Sequence, residues 1–233
     1  MQHNYARVMV IMAHPDDLEY FCGGTLALLS EAGSTITSLL LTDGEKGCSD
    51  PTKTTGQIAA LRRIEQQAAA EVLGIAALRY LGYPDGALLD SPDLRRAITA
   101  EVRRARPELV LLPDPTRYYF GDWYVNHPDH RGAGEAGLAA VMPAANNRWY
   151  FPELLEDGLE PHQTAELWLT TPSDPNHSVD ITAVIERKIR AFLCHASQYG
   201  DAAVVSERML REARTEDAFG IERYHEQFRV MHL

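Results

Sequence analysis

His14, Asp16 and Asp17 stand together in "AHPDD", directly behind the apolar run "VMVIM", and His127, Asp129 and His130 stand far downstream in "NHPDHR". Imidazoles and carboxylates are donor types that hold a divalent cation. Two adjacent carboxylates repel each other, and a nearby cation offsets the repulsion that would otherwise keep one of them protonated. The first cluster therefore reads as part of a metal site. His127 and His130 are three residues apart, so on a helix both face one pocket and can supply a further ligand. Each cluster alone also fits a capping role, with Asp16 or Asp17 accepting backbone N–H groups and HPDH opening a capped helix. Together, each on a loop beyond an expected strand, they are better explained by shared chemistry.

The elements that must position these residues follow from patterning. "RVMVIMA" is a continuous apolar run of the kind found in a strand buried on both faces. After Gly23-Gly24, "TLALLSEAG" has helical spacing and stops at Gly33. "TITSLLLTDG" reads as a second strand. "TTGQIAALRRIEQQAAAEVLG" places Ile58, Leu61, Ile64, Ala68 and Val72 on one helical stripe ending at Gly74. "LRYLGYPDG" is a short strand and turn. "SPDLRRAITAEVRRARP" is a helix capped by Ser91 with Pro92 in its first turn. "ELVLLPD" is another buried strand. From Tyr118 the chain turns irregular and aromatic; a helical composition resumes at "HPDHRGAGEAGLAAVM", "AELWLT" reads as a strand, and Asp180 caps a further helix. The tail "IERYHEQFRVMHL" fits strand or helix. Alternation of strands and helices predicts an α/β fold with a mostly parallel, Rossmann-like central sheet and helices on both faces. Residues 1–233 read as one domain.

Composition narrows the partners. The chain has 233 residues, 45% of them hydrophobic, and a formal net charge of −11. That charge speaks against nucleic acid and anionic membranes, whose binding needs clustered Lys and Arg. No segment is long and apolar enough for a membrane span or a signal core. Cys22, Cys48 and Cys194 are odd in number, far apart and form no CxxC, so neither a disulfide framework nor a thiolate zinc site is indicated, and a reducing cytoplasm fits. Gly23-Gly24 lacks the G-x-G-x-x-G turn directly behind the strand that a dinucleotide needs. Homo-oligomerisation is left open.

In their order, "AHPDDLEYFCGGTLALL", "TDGEKG", "RRIEQQAAAEVLG", "LGYPDG", "NHPDHR" and "CHASQYGD" resemble the LmbE-like (PIG-L) family of zinc-dependent N-deacetylases, from the first strand to about Tyr224. The resemblance implies that His14, Asp17 and His130 bind Zn2+, with Fe2+ or Co2+ able to take the same ligands. It implies that Asp16 is the general base, that His127 stabilises the oxyanion with Asp129 orienting its ring, and that Arg62 reaches the substrate. The expected reaction removes an N-acyl group, most often acetyl, from an amino sugar such as an N-acetylglucosamine derivative. An amidase acting on another small conjugate is the nearest alternative. A non-catalytic sugar- or nucleotide-binding module is the alternative of another class.

Other residues keep two readings each. Arg62 and Glu65 also fit a solvated i, i+3 ion pair. Asp43 fits a turn as well as a pocket. His195, in "CHASQ", matches a family segment and equally fits a helix-terminal His bonding the last carbonyls. His162, His177, His225 and His232 read as surface or packing residues. Tyr118, Tyr119, Phe120, Trp123 and Tyr124 can wall a sugar ring or pack a long loop. Substrate choice falls to the loops, Asp114–Asn126 and also Tyr150–Thr164.

Overall fold

A computed structural model describes residues 5–233. The strands with continuous apolar runs, β1 (Arg7–Met12), β2 (Thr35–Thr42) and β4 (Leu109–Pro113), lie inside one sheet ordered β3-β2-β1-β4-β7-β10-β8, where β3 is Ala77–Tyr83, β7 Glu166–Thr170, β8 His177–Asp180 and β10 Glu222–His232. From β3 to β7 every neighbouring pair is parallel; β10 runs antiparallel to β7 and β8 and also pairs with β9 (Arg214–Glu216). Successive side chains of a strand point to opposite faces. Val8, Val10 and Met12 accordingly pack with α1 (Asp17–Glu31), α5 (Ile185–Phe192) and α6 (Ala202–Ala213), whereas Met9 and Ile11 pack with α3 (Pro92–Ala105) and α4 (Pro128–Ala139). The expected α/β class, with helices on both faces, is what the chain forms. β2 and β4 flank β1 on opposite sides, so the crossover direction reverses between β1 and β4, and in such sheets ligands bind beyond the carboxyl ends at that reversal.

Several elements differ from expectation. α1 begins at Asp17, ahead of the glycines, and is kinked at Cys22 (φ −144°, ψ 16°). A kink leaves the following N–H groups without helical partners. Glu226 of β10 accepts two of them, from Gly24 at 2.9 Å and Thr25 at 2.7 Å, and is itself paired with buried Lys188 at 2.7 Å. The ambiguous tail is thus a strand, and its one buried carboxylate caps a broken helix. The aromatic segment contains a short hairpin, β5 (Tyr119–Phe120) with β6 (Tyr124–Val125). α2 (Thr55–Leu73) starts with a capping box between Thr54 and Gln57, but its buried face is Ile58, Arg62, Glu65, Gln66, Ala69, Ala70 and Leu73. Ile64, expected on the apolar stripe, is 69% exposed. Three polar residues take the buried face because a functional loop lies against it. The segment 150–164 packs away from the site, where buried Arg103 donates to the carbonyls of Tyr150 and Leu159.

α4 reaches the strand ends only because it is small-faced. A Cβ added at Gly134 would lie 2.5 Å from the Pro113 carbonyl oxygen and 2.9 Å from Pro115 N, both backbone atoms. Gly→Ala inside a helix normally gains about 1 kcal/mol, but overpacking against backbone costs about 1–3 kcal/mol. The net cost of up to about 2 kcal/mol is expected to lower the melting temperature of Gly134→Ala by up to roughly 8 °C. Gly56→Ala in α2, with nothing within 4 Å, raises it or leaves it unchanged. Thermal melts of the two variants check the sign.

Candidate active site

The first cluster occupies the turn between β1 and α1. Asp16 adopts φ 91°, ψ −25°, a left-handed conformation that non-glycine residues rarely take. Its carboxylate Oδ2 lies 3.0 Å from Arg62 Nη2, and its N–H donates to Gln66 Oε1 at 3.2 Å. Arg62 also donates to the carbonyls of Pro15 and Gly44. Burial pushes the Asp16 carboxyl up to about 6 against the pull of Arg62. Asp17 turns the other way: Oδ2 accepts the His14 N–H at 2.8 Å and lies 3.4 Å from His14 Nδ1, while Oδ1 lies 3.0 Å from His130 Nε2. Burial opposes its charge, but His130 and His14 hold its pKa well below the ordinary value.

Groups behind the imidazoles select their tautomers. His14 Nε2 faces Asp85 Oδ1 at 3.2 Å and Asp129 Oδ2 at 3.3 Å, so it carries a proton; against burial, Asp129, Asp17 and Asp85 raise the pKa of the ring well above the ordinary value, and a metal on Nδ1 would take the place of the second proton. Asp129 is anchored by N–H groups of Gly86 (2.6 Å) and Leu88 (3.1 Å), and Asp85 by that of Lys46 (3.0 Å). His130 Nδ1 lies 2.9 Å from Asn126 Oδ1; in the tautomer with Nδ1–H donating to that oxygen, Nε2 has a lone pair for a metal. The amide of Asn126 is oriented by its own donation to the Arg117 carbonyl at 2.7 Å. Such outer partners are what metal-binding imidazoles require. His14, Asp17 and His130, all buried, bring donor atoms within 4.8 Å of one another. Two nitrogens and one carboxylate at these separations fit a tetrahedral Zn2+ with an open position. The surplus of carboxylates at Asp16, Asp17, Asp85 and Asp129 makes a divalent cation the natural counter-charge. A second trio, His14, Asp85 and His127, also lies within 4.8 Å, but Asp85 is there already engaged by Lys46.

His127 caps α4, its Nδ1 accepting the Asp129 N–H at 3.3 Å, so Nε2–H is free to donate. Burial and neighbouring His14 lower its pKa, which keeps the ring neutral near pH 7. The Asp129 carboxylate was expected on His127; it serves His14 instead, because the helix start directs it back toward the Gly86 turn. Arg62 was expected to reach the substrate, yet it is 3% exposed and sits behind Asp16. Glu65 is no solvated partner of Arg62: it accepts from Ser197 N and Oγ at 2.8 and 2.6 Å. Asp43 forms a surface pair with Arg63. Asp85 and Asn126 escaped the sequence reading; their signals are the "YPDG" turn and the residue directly before HPDH. A cavity of about 590 Å³ opens over Asp16, Asp17 and His130, walled by Tyr20, Phe21, Phe120, Trp123, Tyr124 and Phe192. Nothing from 150–164 lines it.

Arg62 governs the charge of Asp16, which gives a pH prediction. The guanidinium favours the carboxylate, so Arg62→Gln raises the Asp16 pKa. A general base is active only when unprotonated, so with Asp16 in that role the acid limb of kcat/KM is expected to move to higher pH. A pH–rate profile in which the limb stays in place would count against this coupling.

Fold and site together define an α/β amide hydrolase built around a His–Asp–His cluster suited to a metal ion. The chain belongs to the PIG-L family, described as GlcNAc-PI de-N-acetylase, whose model matches residues 9–141. It is similar to a diacetylchitobiose deacetylase of Thermococcus kodakarensis, 38% identical over 83% of this chain and 70% of that protein. A probable N-acetyl-α-D-glucosaminyl L-malate deacetylase of Bacillus anthracis is 29% identical over 94% of this chain and 93% of the relative. The solved N,N'-diacetylchitobiose deacetylase of Pyrococcus horikoshii, complexed with its inhibitor MPG, superposes with a TM-score of 0.88 at 31% identity, covering 98% of this chain and 84% of that one.

Proposed function

We propose that this chain, as one domain, is a metal-dependent N-deacetylase that hydrolyses the N-acetyl amide of an amino sugar such as an N-acetylglucosamine derivative. The observation that carries this reading is the convergence of His14 Nδ1, the Asp17 carboxylate and His130 Nε2 beside an aromatic-walled cavity that Asp16 also lines. Zn2+ suits those ligands best, and Fe2+ or Co2+ are compatible with them. When bound, such an ion supplies Lewis acidity, making water more acidic and polarising a carbonyl oxygen. The Asp16 carboxylate accepts a proton from water as its oxygen attacks the amide carbon. His127 Nε2–H donates to the oxyanion that develops, and as a neutral donor it does so without a compensating proton loss. Asp16 then returns its proton to the departing nitrogen, and the C–N bond breaks to give a free amine and acetate. Arg62 keeps the carboxylate aimed and charged between turnovers. The three cysteines are free, which suits a cytoplasmic enzyme.

The test is amine release from N-acetylglucosamine, N,N'-diacetylchitobiose and sugar-free acetamides, with metal-loaded and chelator-treated protein. Release confined to the sugars and to the loaded protein is expected. Equal rates on sugar-free amides would make the chain a general amidase. Sugar binding with no amine release would make it a non-catalytic module.

A further inference from the structure

The left-handed peptide of Asp16 is held by groups that never touch the cavity. Its N–H donates to Gln66 Oε1; Gln66 Nε2 donates to Glu19 Oε1 at 2.7 Å; Glu19 Oε2 lies 3.4 Å from His195 Nε2. Glu19, Gln66 and His195 are each 0% exposed and come from α1, α2 and the turn after α5. Among the described residues, neither His195 Nε2 nor Glu19 Oε2 makes a hydrogen bond, so their 3.4 Å approach is an ion-pair contact between two buried groups. Three apolar side chains would fill the space without the several kcal/mol that burying a charge costs. The expense has a directional effect. Glu19 is a carboxylate, which when ionised only accepts hydrogen bonds. Gln66 must therefore turn its NH2 toward Glu19, which leaves its oxygen facing the Asp16 N–H.

We propose that Glu19, Gln66 and His195 form a positioning relay that fixes the Asp16 peptide in its left-handed conformation and so presents the carboxylate to the cavity. The proposal rests on Asp16 being the general base. His195 sits at ion-pair distance, 3.4 Å, from the carboxylate oxygen that Gln66 leaves over. The turn carrying His195 is pinned to α2 by Ser197 on Glu65 and to the loop before α2 by Gln198 Nε2 on the Gly47 carbonyl at 2.7 Å. Without the Gln66 acceptor, Asp16 relaxes toward an ordinary backbone conformation and its carboxylate swings off line, and small misplacements of a reacting group are costly in rate.

Gln66→Leu is expected to lower kcat by about 10–100-fold with KM and bound metal unchanged. Because it strands the Glu19 carboxylate, the variant also melts earlier. In Gln66→Leu/Glu19→Gln the buried charge is gone: the melting temperature recovers and kcat stays low. In the swap Gln66→Glu/Glu19→Gln the donor–acceptor order is restored and kcat returns toward the native value. A native kcat in Gln66→Leu, a kcat that recovers together with melting temperature in the first double variant, or a swap as slow as Gln66→Leu would each overturn the relay. If Asp16→Asn proves fully active, the base assignment fails; if it is inactive while Gln66→Leu is not, the relay alone fails.

Discussion

Asp16→Asn lowers kcat by about 10²–10⁴-fold, the range that general acid–base catalysis contributes. The substitution isolates proton transfer better than Ala would. Asn is nearly isosteric, and it tolerates the left-handed backbone that Asp16 occupies at φ 91°. It can still accept from Arg62, whose guanidinium keeps the Pro15 and Gly44 carbonyls. What it lacks is an oxygen able to take a proton from water and return it to the leaving nitrogen. Because Asp16 is not among the three convergent ligands, bound metal per chain is expected to be unchanged. The measurement is kcat on an N-acetylated sugar alongside metal content. A variant that retains its metal and more than a tenth of the native rate would remove Asp16 from the base role and leave the proton route to be found elsewhere.

The sequence exposed this site to the extent that it is local. AHPDD and NHPDHR carry their donor types within a few residues, and buried apolar runs placed both motifs beyond strand ends. What it hid are the contacts behind the imidazoles and those that hold the Asp16 peptide. His14 meets Asp85 across 71 positions and Gln66 meets Glu19 across 47, and no periodicity encodes such pairs. Periodicity was misleading on α2, where an apolar stripe through Ile64 outscored the polar residues that are in fact buried. Gln66 at 0% exposed and Ile64 at 69% show tertiary context reversing the stripe. The tail that forms β10 fitted strand and helix alike for a related reason: Glu226 is buried at 4% inside it, which spoils the alternation that marks a half-buried strand. In both places a buried polar group serves the HPDD turn or the helix behind it.

Asp17→Asn is expected to abolish metal-dependent stabilisation together with activity. A ligand that binds only the folded chain stabilises it by about 4 kcal/mol when present at a thousandfold excess over Kd. For a chain of this size that corresponds to a rise in melting temperature of roughly 8–16 °C on loading with Zn2+. Asp17 supplies the sole carboxylate of the convergent trio and lies between the two imidazole nitrogens at 3.4 and 3.0 Å. An amide there removes the negative charge and offers a weaker donor, so the increment falls toward zero and a chelator no longer changes the melt. Asp85→Asn is the discriminating partner, because Asp85 belongs to the other trio while serving His14 from behind. If the ion is held by His14, Asp17 and His130, Asp85→Asn weakens affinity by about 10–100-fold, as loss of a supporting carboxylate does, and so keeps about a third to two thirds of the increment. The reverse pattern, with Asp85→Asn losing the increment and Asp17→Asn keeping it, would move the metal to His14, Asp85 and His127. His127 would then be a ligand and could not donate to the oxyanion.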